Sequence, residues 1–266
     1  MTSQPATKIA FPQIADLKGK VCLVTGASTG IGAAVARALG AQGARVAVHY
    51  NQSKDAANEV VAAVKAAGGE GFAIGGDVSR VKLVTEIVER TAAHFGRLDI
   101  LVNNAGSLVK RVPIFEATDD HYDAVMDLNV RSVFAACRAA IPHFREQGGG
   151  NIINTSSIAA RHGGGPGSVL YASAKGFVST FTRGMARELV KDNIRVNAVS
   201  PGVIATPFHE RFSSAEQIKA MTGMIPMGRM GSSDECVGAY LYLASDALSG
   251  YVTGQVIEVN GGQLMP

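Results

Sequence analysis

Tyr171 and Lys175 stand four positions apart in the run Tyr-Ala-Ser-Ala-Lys. The apolar spacing of Tyr171–Val190 predicts a helix, and residues four apart on a helix share a face. A free phenol titrates at about pH 10. An ammonium beside it favours the phenolate and brings its proton within reach of a working pH. Such a pair can give a proton to a carbonyl oxygen as it is reduced, or take one from an alcohol as it is oxidised. Upstream, Ser156 and Ser157 follow the predicted strand Ile152–Asn154. A hydroxyl there can hold the reacting oxygen and stabilise its developing charge. A Tyr-x-x-x-Lys pair is common on surface helices, so its meaning depends on the elements around it.

Those elements alternate. Short apolar runs bounded by glycine predict strands at Val21–Val24, Arg45–Tyr50, Gly71–Ile74, Leu98–Val102, Ile152–Asn154, Ile194–Val199 and Gln255–Val259. Between them, helical periodicity marks Ile31–Leu39, Asp55–Ala67, Val81–Phe95, a long stretch from Asp119 to Gln147 that Pro142 kinks or divides, Tyr171–Val190 and Ser233–Leu243. Strict alternation implies parallel strands joined by right-handed crossovers. The predicted fold is a single doubly wound α/β domain of Rossmann type, with helices on both faces of the sheet. It spans residues 19–266, and residues 1–18 are expected to form a flexible extension ahead of it.

Where the first strand meets the first helix stands Thr25-Gly26-Ala27-Ser28-Thr29-Gly30-Ile31-Gly32. Glycine permits the sharp turn and lets backbone N–H groups approach a pyrophosphate, helped by the helix dipole. Gly26, Ser28, Thr29, Gly30, Ile31 and Gly32 are therefore assigned to a dinucleotide. The second strand ends at His49-Tyr50-Asn51-Gln52-Ser53-Lys54, with no carboxylate before Asp55. A carboxylate at that edge would bind the ribose diol of NAD, whereas Tyr50, Asn51 and Ser53 with a nearby lysine suit a 2′-phosphate. NADP(H) is favoured over NAD(H). Asp77 and Val78 follow the third strand, where a carboxylate can accept from the adenine amino group; the same Asp77 can also cap a helix.

Composition narrows the field. The chain has 266 residues, 47% hydrophobic and 18% charged, with 31 glycines, 9 prolines and a net charge of +3. That excludes a disordered or collagen-like chain. Its 25 basic and 22 acidic residues are dispersed, so no nucleic-acid partner is implied. No apolar run reaches membrane-spanning length, and residues 1–18 lack the apolar block of a signal peptide. Cys22, Cys137 and Cys236 are widely spaced among apolar residues, and read as reduced core thiols of a cytoplasmic enzyme. No His, Cys, Asp or Glu group has zinc-site spacing, so no metal is expected.

In this order and at these loop positions, TGASTGIG (25–32), DV (77–78), NNAG (103–106), Asn129, SS (156–157), YASAK (171–175), PG (201–202) and VNGG (259–262) resemble the short-chain dehydrogenase/reductase family, including its 3-oxoacyl-[acyl-carrier-protein] reductase-like members. The resemblance covers residues 20–262. It implies a seven-stranded parallel sheet, NAD(P)-dependent interconversion of alcohol and carbonyl, and a catalytic set of Asn129, Ser157, Tyr171 and Lys175. Ser157 is chosen over Ser156 because the family's serine is second in the pair. Asn129 would hold a water relaying protons to Lys175, and Lys175 would also bond the nicotinamide ribose. Asn103, Ala105 and Gly106 would line the adenosine-ribose side, and Pro201, Gly202, Ile204 and Thr206 the nicotinamide end. The interval from Ser157 to Tyr171 is one residue longer than a common family spacing, an excess that Gly163–Gly165 can absorb. The resemblance further implies a homotetramer.

Val203–Met230 reads as long and irregular, with Phe208, Phe212, Met221, Met224, Ile225 and Met227 as apolar anchors. A loop of this kind reads as a substrate-binding segment. Leu108, Ile158, Arg161, His162 and Leu170 are candidates for the opposite wall. His121, His143, His162 and His209 read as solvated, with His162 worth testing because it lies between Ser157 and Tyr171. The favoured function is a reductase of ketones or dehydrogenase of secondary alcohols, acting on small molecules. The alternatives are a 3-oxoacyl-[acyl-carrier-protein] reductase, which needs a basic patch such as Lys110, Arg111 and Arg161, a sugar or polyol dehydrogenase, and a non-catalytic dinucleotide sensor.

Overall fold

The computed structural model describes residues 11–265. Its first half builds β1 (Val21–Val24), α1 (Gly30–Ala41), β2 (Arg45–Tyr50), α2 (Lys54–Ala66), β3 (Glu70–Gly75), α3 (Val81–Phe95), β4 (Ile100–Asn103), α4 (Asp119–Met126) and α5 (Ser132–Glu146). The second half adds β5 (Gly150–Thr155), α6 (Ala159–His162), α7 (Val169–Leu189), β6 (Ile194–Pro201), β7 (Ile204–Ala205), α8 (Pro207–Phe212), α9 (Ala215–Gly223), β8 (Gly231–Ser232), α10 (Ser233–Ala244), α11 (Asp246–Ser249) and β9 (Val256–Val259).

Seven strands form one parallel sheet in the order β3-β2-β1-β4-β5-β6-β9. All residues of β1, β4 and β6 are buried; β1 and β4 accordingly read as near-continuous apolar runs, whereas β6 also buries Arg195 and Asn197, which are bonded to Asp246 and to Val252 O. One face packs Val35 and Leu39 of α1, Val60 and Val64 of α2, and Tyr240 and Leu241 of α10. The other packs Ile87 and Val88 of α3, Ala136 and Phe144 of α5, and Val178 and Met185 of α7. Each fully buried Leu, Ile or Val contributes about 1.5–3 kcal/mol relative to exposure. The order in which strands are added reverses between β1 and β4, so the loops after these strands part and open a crevice at the carboxyl edge.

Three expectations are corrected. Pro142 lies inside α5 without ending it; the interruption falls earlier, at a π-helical turn over Asp127–Arg131 that joins α4 to α5. The 203–230 segment is not irregular: it folds into α8 and α9, and its ends pair as the two-stranded parallel sheet β7–β8. Helix α9 starts with a capping box between Ser214 and Gln217. As for the expected flexible extension at 1–18, residues 1–10 lie outside the described residues, whereas residues 11–18 pack on the body. There, Leu17 is buried in the core, Ile14 N–H donates to Gln42 Oε1 at 2.7 Å, and Asp16 accepts from Ser245 Oγ at 2.8 Å. Among the described residues, no helix is long and apolar enough to cross a membrane.

Candidate active site

The glycine turn is fixed from three sides. Gly26 has φ +63°, and a Cβ there would stand 2.9 Å from Ala105 Cα, so only glycine lets the β1 and β4 loops cross. The Asn104 side-chain amide donates to Thr25 O at 3.0 Å and Gly26 O at 3.1 Å. Gly26 N–H donates to His49 Nδ1 at 2.9 Å, and the other ring nitrogen of His49 lies 2.8 Å from Gly76 O. This pairing requires a neutral imidazole with its proton on Nε2. Burial, the largest effect on His49, holds its pKa below the usual 6.5 and so favours that form. Thr29, the N-cap of α1, makes no side-chain capping bond. The first-turn N–H groups of α1 are left to face the cleft, a donor set suited to an anion.

The cleft has a volume of about 500 Å³ and runs from Asn51, Ser53, Asp77 and Val78 past Ser28–Ile31 to Ser157, Tyr171 and Lys175. Gly26, Ala105, Gly106, Pro201, Gly202, Ile204 and Thr206 also line it, as expected from the sequence. Asp77 lines the cleft, but it does not cap a helix as also expected: the N-cap of α3 is Arg80, and Asp77 Oδ1 instead accepts from Ser79 N–H at 3.0 Å within the preceding loop. Four predicted residues stand off the wall. Gly32 lies beneath the turn, where a Cβ would strike Gly26 O and Asn104 Nδ2. The Tyr50 ring covers Gly75 on the adjacent strand. Asn103 is buried and donates to Asn154 Oδ1 at 2.9 Å. Asn129, at 0% exposure, is bonded to main chain: Nδ2 donates to Ser107 O at 2.8 Å and Val125 O at 2.9 Å, and Oδ1 accepts from Ser107 N–H at 3.1 Å. Those three bonds fix its carbonyl at the π-helical turn.

Helix α7 carries Tyr171 and Lys175 on one face, with the Lys175 Nζ 5.7 Å from the centre of the Tyr171 ring. The ammonium donates to Thr155 O at 2.7 Å. Burial pushes Lys175 down to about 8 and Tyr171 up to about 12, while a hydrogen bond with Ser157 pulls the phenol back. The lowering of the phenol expected from the amine alone is therefore outweighed by desolvation. Ser156 is occupied with Ser179 Oγ at 2.7 Å and Lys175 O at 3.1 Å, whereas Ser157 is hydrogen-bonded to the Tyr171 phenol and accepts from Ala159 N–H at 3.2 Å. Gly106 separates Asn129 from Lys175: a Cβ there would come within 2.7 Å of Asn129 Oδ1 and 3.1 Å of Lys175 Nζ.

Over this end lies α8. Phe208 tilts against Tyr171 with ring centres 5.6 Å apart, and Phe212 packs edge-on against Phe208. Phe208, Phe212 and Met221 line the cleft. Of the other apolar anchors, Ile225 is buried while Met224 and Met227 are exposed. Leu108, Ile158 and His162 form part of the opposite wall; Arg161 and Leu170 do not reach it. His209 also lines the cleft, with its pKa lowered by burial and then by the Arg111 charge, so it is not the solvated histidine expected. His49 and Asn104 were not singled out from the sequence: a polar residue at a strand end shows no sign of bonds made to distant main chain.

The turn, the uncapped helix end and the open groove fit a dinucleotide. The comparisons agree. A family model described as enoyl-(acyl carrier protein) reductase matches residues 26–263. A 3-oxoacyl-[acyl-carrier-protein] reductase of Synechocystis is 39% identical over 249 residues, covering 94% of this chain and 98% of that protein. An NADH-dependent reductase A1-R', responsible for alginate metabolism and solved with NAD, superposes with TM-score 0.85 at 37% identity, covering 96% and 100% of the two chains. A short-chain dehydrogenase of Burkholderia cenocepacia, solved with NADP, gives 0.86 at 34% identity, covering 93% and 99%. The chain belongs to the short-chain dehydrogenase/reductase family of NAD(P)-dependent oxidoreductases acting on carbonyl and hydroxyl groups.

Proposed function

We propose that the protein interconverts a small-molecule ketone and secondary alcohol, with NADP(H) preferred over NAD(H), through Ser157, Tyr171, Lys175 and Asn129. The observation that carries this reading is the convergence of the serine hydroxyl, the phenol and the amine on one end of the groove that begins at the glycine turn. A nicotinamide dinucleotide, when bound, supplies or accepts the hydride. Its pyrophosphate would rest on Ser28–Ile31, and its nicotinamide end beside Gly202 and Thr206. Ser157 holds the substrate oxygen. Tyr171 gives that oxygen a proton during reduction and takes one back during oxidation. Lys175, whose amine titrates at about 8, exchanges protons near neutral pH and stabilises the phenolate. The gap at Gly106, bounded by Asn129 Oδ1 and Lys175 Nζ, suits a water that passes protons between Lys175 and the interior.

The preference for NADP(H) rests on Asn51, Gln52 and Ser53, which line the adenosine end where no carboxylate follows β2. We further propose a cytoplasmic homotetramer. Its support is the exposed apolar side chains of α4, α5 and α7, with Tyr122, Phe134 and Phe177 outward, the kind of surface that a partner copy can cover. The test is turnover of NADPH and NADH against a ketone panel, with the wild type and Tyr171→Phe. Full activity in Tyr171→Phe removes the assigned acid. An NADH preference, unchanged in Asn51→Asp, removes the cofactor assignment.

A further inference from the structure

The two ends of the cleft differ in charge. Among the described residues that line it, Asp77 is the one carboxylate, and it stands at the adenosine end. The reacting end instead gathers Arg111, His162, His209 and Arg211. Arg111 is partly buried. Its Nε donates to Phe212 O at 2.6 Å and its Nη1 to Pro166 O at 3.0 Å. Among the described residues it forms no ion pair. A guanidinium bonded to two carbonyls and to no carboxylate keeps N–H donors free to receive an anion in the cleft.

The backbone around Arg111 points the same way. Val109 is a β-branched residue at φ +63°, a conformation such residues adopt only when their surroundings impose it. Lys110 N–H donates to Leu108 O at 2.7 Å across it, closing a γ-turn. That turn delivers Arg111 to the junction of the β4 loop, the segment before α7, and α8. The helical turn whose last carbonyl holds Arg111 also carries Phe208, which packs on Tyr171. The cations and the reacting phenol therefore share one enclosure.

We propose that this end of the cleft selects carbonyl substrates bearing an anionic oxygen group of their own, a carboxylate or a phosphate, received by the Arg111 guanidinium with Arg211 and His209 beside it. The inference rests on the reductase reading and narrows its substrate class. A guanidinium fork matches either anion. The anion is placed on the small substrate rather than on a carrier protein because Arg111 sits inside the cleft, between loops, while Lys110 and Arg161 do not line it.

The experiment compares kcat/KM for matched pairs: 2-, 3- and 4-oxo acids against their methyl esters, and dihydroxyacetone phosphate against dihydroxyacetone. Enzymes are the wild type, Arg111→Gln and Arg211→Gln, each also titrated with NADPH. The charged member of at least one pair is expected to exceed its neutral partner by about tenfold or more, and which pair does so identifies the anion. Arg111→Gln is expected to bring that ratio to within about threefold of unity, chiefly through KM for the charged member. Arg211→Gln, a change at an exposed side chain, is expected to reduce the ratio partially and keeps the test decisive if Arg111→Gln does not fold. Equal loss for charged and neutral members overturns the inference, because that marks Arg111 as merely a tie between loops. Weakened NADPH binding with the ratio intact overturns it by assigning the cations to the cofactor. Neutral members, or a neutral acyl thioester, used as fast as acids overturn it while leaving the reductase reading standing. Turnover of no pair with either cofactor overturns both.

Discussion

Gly106→Ala tests the proposed proton path by filling it. Gly106 is not among the residues at positive φ, so alanine fits the backbone and the cost is one of space alone. Its Cβ would stand 2.7 Å from Asn129 Oδ1 and 3.1 Å from Lys175 Nζ. Neither neighbour yields easily. Asn129 is held by three hydrogen bonds to main chain, and Lys175 is buried with its amine bonded to Thr155 O. Overpacking or breaking one buried bond costs about 1–3 kcal/mol. In a chain of this length each kcal/mol lowers Tm by about 2–4 °C. The variant should remain folded but lose the gap. Misplacement of a catalytic group by up to about 1 Å can cost about 100-fold, and the expected fall in kcat is of that order, with substrate KM little changed. Nicotinamide absorbance gives kcat, and a melting curve confirms folding. Gly176→Ala is the control, since a Cβ one residue past Lys175 meets only Ala160 O at 3.9 Å. Wild-type kcat in a folded Gly106→Ala would refute the assignment of a proton path between Asn129 and Lys175.

Four further outcomes are expected. His49→Ala strands Gly26 N–H and Gly76 O, each an unpaired polar group worth about 1–3 kcal/mol, and should weaken NADPH binding about tenfold in a fluorescence titration; an unchanged Kd removes His49 from the cofactor site. Because burial holds the His49 pKa below 6.5, the unfolded chain binds its proton first as pH falls. Wild-type stability should therefore decline below about pH 6.5 by an increment that His49→Ala lacks, with no such increment above that pH; denaturant melts across that range measure it. Gly26→Ala meets both a left-handed φ, costing about 1–2 kcal/mol, and the contact with Ala105 Cα, and should abolish cofactor binding before it abolishes folding, as read by titration and circular dichroism. Phe208→Ala removes the ring over Tyr171 and should raise substrate KM more than cofactor Kd; equal changes in both would detach α8 from substrate binding.

The strands were legible because each is a short apolar run stopped by glycine or a polar residue, and their observed ends depart from the expected ones by at most two residues. Helix α3 follows its periodicity over Val81–Phe95 without change. What escaped has a common cause, the absence of a local signal. The π-helical turn adds one residue to a coil and leaves the apolar pattern continuous. Asn103 and Tyr50 belong to strand ends near the cleft, yet packing against neighbouring strands, not chain position, decides where their side chains go. Asp16 meets Ser245 across most of the chain, so residues 11–18 look loose in isolation. The pairing of Tyr171 with Lys175 was readable from spacing; the opposing pull of burial on their protons was not, since it depends on everything that covers them.

The short β7–β8 pairing has a consequence for how substrate range can change. Ile204 sits opposite Gly231 and Ala205 opposite Ser232, so the chain leaves the body and returns to it through a pinched neck. Residues 206–230 are thereby a discrete insert whose ends are held side by side, tied back to the body through Phe212 O at Arg111, the buried Ile225 and Met227 N–H at Gly261 O. New specificities can arise by replacing that insert while the hydrogen-transfer machinery stays as it is.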